Sequence, residues 1–338
     1  MSQPTAPETL GSLTGETPVD PNSAKAKAIA GRSPMQIALG RLRRDKIAMV
    51  CAAVIVFFAC VAIFAPLICK LFGVNTDTVF PSQYLDMLGG GMPLKGPPEH
   101  GFDPEHPFGI APQSADDNLA YWVYGCRTSL TIAASATLFA SVVGITIGLL
   151  AGFLGGIVDK VLSFFIDLFL TVPFLLAALT LAPILNDRFS TSDNYASIQK
   201  FSLVAVLAIF GWMGMARLIR GEVLSLRERE FVQAARVIGM PTHRILIKEL
   251  MPNLAAPIII SISLMLPLFV AAEAGLAFLG IGVTSGASWG QTIAKAVKYF
   301  EQYPLYLWEP LIGVVLLVLS LNLLGDAIRD ALDPKTRR

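Results

Sequence analysis

Six apolar stretches constrain this chain more than any other feature. They fall at about 47–71, 127–153, 157–185, 200–219, 253–280 and 309–328. Each is long enough to cross roughly 30 Å of hydrocarbon, where every backbone N–H and C=O has to be satisfied within the chain. Helices do this segment by segment, so the sequence predicts an all-α polytopic membrane protein with six transmembrane helices. Composition agrees: 54% of the 338 residues are apolar and 15% are charged, against about a quarter charged in a soluble domain.

Orientation follows from how the cations are shared out. The formal net charge is only +1. With the N-terminus inside, however, nineteen of the 26 Lys and Arg fall on the cytoplasmic side, as the positive-inside bias requires. Both termini and the loop 217–253 are therefore expected in the cytoplasm, and the segment 73–126 outside. The basic residues flank apolar spans and form no aromatic-interleaved stripe, which argues against nucleic acid as a partner and for membrane lipid. No signal peptide is expected, because the first apolar run begins only near Ile47. Cys51, Cys60 and Cys69 lie nine residues apart on one apolar run. At about 13 Å from one to the next they are too distant for a disulfide or a shared metal, and they read, with Cys126, as packing residues.

Taken in order, residues 1–32 are rich in Pro, Thr, Ser, Gly and Ala without periodicity, which predicts a disordered cytoplasmic N-terminus. Ser33-Pro34 offers a cap and a helix-starting proline. Met35, Leu39 and Leu42 then share a face opposite Arg41, Arg43 and Arg44. Residues 33–72 thus read as an amphipathic helix on the membrane surface followed by the first span. An extracytoplasmic loop, 73–126, leads into a core domain, 127–330, and a short cytoplasmic tail, 331–338.

Within the core, Gly144, Gly148, Gly152 and Gly156 recur at steps of four, a small-residue stripe that lets helix backbones approach closely in lipid. Pro173, Pro183, Pro257 and Pro267 lie inside apolar stretches, where a missing N–H kinks a helix. Asp167 and Glu273 are expected to be buried. A carboxylate at the helix centre costs at least about 2.5 kcal/mol, so each needs an interhelical hydrogen bond or a water-lined pathway face. Asp326 sits nearer the inner end of the last span, where the cost is lower. His100 and His106 with Glu99, Asp103 and Glu105 are of a type that binds metal, but a solvated acidic loop is the expected reading and no metal site is assigned.

The loop 217–253 carries seven Lys and Arg between two spans. Phe231, Ala234, Ala235 and Ile238 recur at helical spacing. Gly239 suits a left-handed helix stop, and Pro241 suits the start of a second helix. Two short helices with a glycine joint make either a protrusion for another protein or a plain interfacial connection.

A resemblance decides between them. Gln233-Ala234-Ala235, then Gly239, then Met251-Pro252 resembles the "EAA" loop of binding-protein-dependent ABC transporter permeases, with Gln233 where that family often has Glu. Further strings run in the same order. They are Arg44-Asp45-Lys46, Gly155-Gly156-Ile157-Val158-Asp159, Arg229-Glu230-Phe231-Val232, Ala272-Glu273-Ala274-Gly275-Leu276 and Ser288-Trp289-Gly290. Asn322-Leu323-Leu324-Gly325-Asp326 and Arg329-Asp330-Ala331-Leu332-Asp333-Pro334 close the series. The chain is most similar to the C-type permease subunit of oligopeptide and dipeptide importers. Phe164 stands where that family usually has an arginine near the acid at 167.

The resemblance implies a type I ABC importer permease fold and a subunit without catalytic residues. Expected partners are a homologous B-type permease, two cytoplasmic ATPase subunits and an extracytoplasmic substrate-binding protein, in a prokaryotic cell membrane. ATP and Mg would belong to the ATPases, and this chain would bind no cofactor. Glu230, Phe231, Gln233, Ala234, Ala235, Gly239 and Met240 would form the ATPase-coupling site. The substrate would be a peptide, with nickel, haem or sugar as the alternatives known in this architecture. The residues agree in one negative respect: the chain holds no GxxxxGK[ST] phosphate loop. An ion-coupled secondary transporter would need Asp167 and Glu273 as coupling carboxylates and an inverted repeat, and none is visible. An intramembrane hydrolase would need HExxH or GxGD, and neither string occurs.

Overall fold

The computed structural model describes residues 34–76, 81–88, 90–192, 194–283 and 286–333. The expected disordered segment 1–32, the Ser33 cap and the tail from residue 334 lie outside them. Helix α1, Pro34–Leu42, buries Ala38, and Arg43 and Arg44 just past its end are exposed. Asp45 then caps α2, Lys46–Ile63, accepting from the N–H groups of Ile47 at 2.9 Å and Ala48 at 3.2 Å. After a break at Phe64, α3, Ala65–Phe72, starts with Pro66 in its first turn and ends on left-handed Gly73. Together α2 and α3 cover the first apolar stretch. Cys51 and Cys69 are buried and Cys60 exposed, all three free, and the Cys126 thiol donates to the Phe58 carbonyl.

The second span, α4, Asn118–Leu154, begins nine residues before the expected start, because Asp117 accepts from the Ala120 N–H at 2.8 Å and caps it there. The third apolar stretch differs from expectation. It is split into α5, Gly156–Thr171, and α6, Phe174–Arg188, bent by 86°. Pro173 causes the break: it donates no backbone bond and holds Val172 extended. Pro183 lies inside α6 and Pro267 inside a later span, whereas Pro257 sits in the first turn of its helix, where proline is tolerated.

Helix α7, Tyr195–Leu226, runs well past the expected end at 219, so the first quarter or so of the loop 217–253 is continuous helix. Short helix α8, Glu230–Val237, follows. Single turns at Thr242–Arg244 and Met251–Asn253 flank a π-helical stretch, Ile245–Leu250. Then come α9, Ala255–Phe278, short α10, Trp289–Ala296, and α11, Pro304–Leu332. Among the described residues five helices are individually long and apolar enough to cross a membrane, and the bent pair, taken as one broken span, brings the number to six. The crossings alternate, so 34–45, the α4–α5 joint, 227–254 and the end of α11 share one end, called the loop end here. The described residues of 74–117, α10 and the ends of α6 and α7 that face each other share the far end.

The glycine stripe sets the central packing. A Cβ at Gly144 would lie 2.7 Å from the Trp212 carbonyl oxygen, and one at Gly148 2.7 Å from that of Ala216. At Gly152 it would lie 2.9 Å from that of Arg220. Three glycines thus let α4 and α7 touch backbone to backbone. Gly156 departs from the expected stripe: a Cβ there would meet nothing within 4 Å, and its φ of +58 places it in the turn that starts α5. Among the described residues the far-end segment holds a two-residue antiparallel β-pair, Leu85–Asp86 with Met92–Pro93, and an isolated antiparallel bridge between Ile110 and Asp117, within a mostly helical fold. It packs through Ala111 on Ala296, Tyr303 and Tyr306.

Candidate functional site

The loop between α7 and α9 is tied back to the bundle by hydrogen bonds and apolar packing. At its start, Arg220 grips Asp159 with two hydrogen bonds of 2.5 and 2.8 Å. Asp159 lies in the first turn of α5 and also accepts from the Ser163 hydroxyl at 3.1 Å. Arg227 caps α7 and donates to the Gly152 carbonyl at 3.2 Å. Its own carbonyl accepts from the Gln233 amide at 3.2 Å. Two arginines therefore tie the loop to the α4–α5 joint.

Helix α8 then lays one face on the chain and turns the other outward. Val232 and Ala235 are buried among Phe153, Val223, Ile245, Leu250 and Leu254. Half-buried Met240 packs on the edge, and the Arg236 guanidinium covers the Phe153 ring at 4.8 Å. The helix stops as its glycine dictates. Gly239 has φ +77, its N–H reaches the Arg236 carbonyl and the Met240 N–H reaches that of Ala235, both at 3.0 Å, which is the Schellman pattern.

The expected docking positions separate accordingly. Glu230, Phe231, Gln233, Ala234 and Gly239 are exposed, with Val237 86% and Ile238 75% accessible. Ala235 is the correction: at 5% exposure it belongs to the chain's own core. The helical period explains why, since Val232 and Ala235 share the inward face at a step of three. The pairing of Arg220 with Asp159 and of Arg227 with the Gly152 carbonyl was not anticipated from the sequence. Their signal was an arginine spacing along the end of α7 and an acid in the first turn of the helix opposite.

The three acids divide as well. Glu273 is fully buried, and its Oε1 accepts from the Ser288 hydroxyl at 2.9 Å. Asp167, expected to be buried, is 65% exposed on the chain's surface and bonded to Arg217 at 2.6 Å. Asp326 is exposed near the loop end of α11. At the far end His106 bonds Asp117 at 2.6 Å. Among the described residues no three His, Cys, Asp or Glu side chains come together at metal-binding spacing. A cleft of about 470 Å³ opens between the bend at Phe174 and helices α7 and α9, lined by Leu207, Phe210, Met265, Leu268 and Phe269 with the Ser261 hydroxyl.

Residues 144–338 match the family described as binding-protein-dependent transport system inner membrane component. Residues 33–83 match the N-terminal TM domain of oligopeptide transport permease C. The chain is 30% identical over 324 residues to the oligopeptide transport system permease protein OppC of Bacillus subtilis, covering 95% of this chain and 97% of that one. It is 33% identical over 306 residues to the dipeptide transport system permease protein DppC of Alkalihalophilus pseudofirmus, covering 90% and 91%. Among solved structures, a chain of the inward-facing MetNI methionine ABC transporter superposes with a TM-score of 0.50 at 18% identity, covering 63% of this chain and 96% of that one. That likeness speaks to the fold alone.

Proposed function

Because this chain belongs to the family of binding-protein-dependent transport system inner membrane components, we propose that it is the permease subunit of an ATP-driven importer of oligopeptides or dipeptides. The names of its relatives support the peptide class. In this reading the loop end faces the cytoplasm, as the positive-inside bias requires, and both termini lie there. A homologous B-type permease completes the pathway. Two ATPase subunits, which hold ATP and Mg, dock on the loop, and an extracytoplasmic binding protein delivers substrate to the far end. The chain itself takes no cofactor and catalyses no bond cleavage.

The observation that carries this reading is the bracketed helix α8, with its apolar outward residues Phe231, Val237 and Ile238 at a polar membrane end. Exposed apolar side chains beside charged ones mark a protein contact. The contact is mechanically useful because the loop is fixed to α4, α5, α7 and α9 together. A push on α8 moves these helices as one body, the rigid-body switching that alternating access needs. Transport by an ion gradient finds less support: Asp167 is engaged by Arg217 and Glu273 is sealed from solvent. The test is uptake of labelled peptides into proteoliposomes holding the complete complex and its loaded binding protein. Uptake that requires internal ATP and ignores ionophores is expected; uptake that follows an ion gradient without ATP contradicts the proposal.

A further inference from the structure

Helix α9 connects the two ends of the molecule. Leu254, the residue before it, is buried in the same cluster as Val232, Ala235, Ile245 and Leu250 of the loop. Nineteen residues on, about 28 Å along a helix, stands Glu273, with no accessible surface. One of its oxygens accepts from Ser288 at 2.9 Å. Among the described residues the other, Oε2, has no hydrogen-bond partner, and neither does the Ser129 hydroxyl of α4. Among the described residues no Lys or Arg pairs with Glu273.

Ser288 is the residue from which α10 starts. Its hydroxyl is spent on Glu273, so it gives α10 no side-chain cap. Two further contacts press α10 onto the bundle. A Cβ at Gly290 would collide with the Ala274 carbonyl, and the Trp289 indole N–H donates to the Trp122 carbonyl at 2.9 Å. Beyond them α10 carries the far-end segment: Ala296 packs with Ala111, Tyr303 and Tyr306, and Lys295 lies 3.5 Å from Asp116. The contacts form an unbroken series from the loop through α9, Glu273, Ser288 and α10 to residues 111–117.

We propose that Glu273 is a positioning residue that latches α10 to α9 through Ser288, so that a displacement of the loop reaches the far-end segment 111–117. This rests on the importer reading, in which that segment faces the binding protein. The latch uses one acceptor oxygen and no charge, so an amide can replace the acid. It joins two discrete elements, and only measured coupling establishes such a path.

The experiment compares ATP hydrolysis by the purified complete complex with and without loaded binding protein. Ser288→Ala should lower the stimulation about threefold to tenfold, the loss of one hydrogen bond, and leave unstimulated hydrolysis and complex yield as in wild type. Glu273→Gln should keep stimulation within about twofold of wild type. The double variant should be no worse than Ser288→Ala alone, because both changes act on one contact. Unchanged stimulation in Ser288→Ala, losses that multiply in the double variant, or stimulation abolished by Glu273→Gln each overturn the latch. A wild-type complex that never responds to binding protein overturns the importer reading and the latch with it. A responsive wild type with an indifferent Ser288→Ala overturns the latch alone.

Discussion

Gly148→Ala is the smallest change that tests the central packing. The added methyl would stand 2.7 Å from the Ala216 carbonyl oxygen, 2.8 Å from the Ile219 Cβ and 3.1 Å from the Arg220 nitrogen. Carbon atoms in good contact sit about 3.5–4.0 Å apart, and two of these three neighbours are backbone, so no rotamer change relieves the clash. Helices α4 and α7 have to separate by close to an ångström, and such overpacking costs about 1–3 kcal/mol. The better helix propensity of alanine offsets about 0.5–1 kcal/mol of that. A net loss of up to about 2.5 kcal/mol remains, which at about 2–4 °C per kcal/mol lowers Tm by up to about 10 °C. Gly275→Ala is the control, since a Cβ there meets nothing within 4 Å and keeps only the propensity gain. Thermal unfolding of both purified variants in detergent, followed by intrinsic fluorescence, reads the difference. A Gly148→Ala protein as stable as Gly275→Ala would refute backbone-to-backbone packing of α4 on α7.

Three further outcomes are expected. Ala235→Trp should reduce the yield of folded chain, because it overpacks the cluster around Phe153 and Leu250 at a cost of about 1–3 kcal/mol; normal yield with loss of ATPase alone would put Ala235 back on the docking face. Asp159→Asn should loosen the loop by roughly 1 kcal/mol, a partly exposed pair being screened by solvent, and limited proteolysis should then cut near residues 227–229 faster than in wild type. In a cysteine-free background, a single cysteine at Lys95 should react with an impermeant maleimide in intact cells and one at Arg229 should not; the reverse pattern contradicts the orientation.

Crossing number and fold class were legible because they depend on the length of apolar runs, which lipid makes almost obligatory. Pro173 was legible as a kink, but not its 86° angle, which depends on what α5 and α6 each pack against. The loop was legible as two helices about Gly239, since a positive φ leaves few choices. Which face of α8 points inward was not, because Phe231, Ala234, Ala235 and Ile238 fit helical spacing as well as Val232 and Ala235 do. Only the position of Phe153 and Leu250 selects between them. Asp167 was misplaced for a related reason: its burial was inferred from the hydropathy of its neighbours, while Arg217 approaches from a helix fifty residues away in sequence.

The most direct measurement of the central claim places a carboxylate on the outward face of α8. Val237 and Ile238 are 86% and 75% accessible, so Ile238→Asp, alone or with Val237→Asp, leaves the chain's own packing intact. In a docked interface the same carboxylate would be stripped of water without a partner, at a cost of several kcal/mol. The account predicts that the variant chain inserts at wild-type level, while the complex loses its ATPase subunits or its binding-protein-stimulated hydrolysis falls at least about tenfold. A variant that keeps its ATPases and takes up peptide at the wild-type rate would contradict the assignment of this loop as the site through which ATP hydrolysis is coupled to transport.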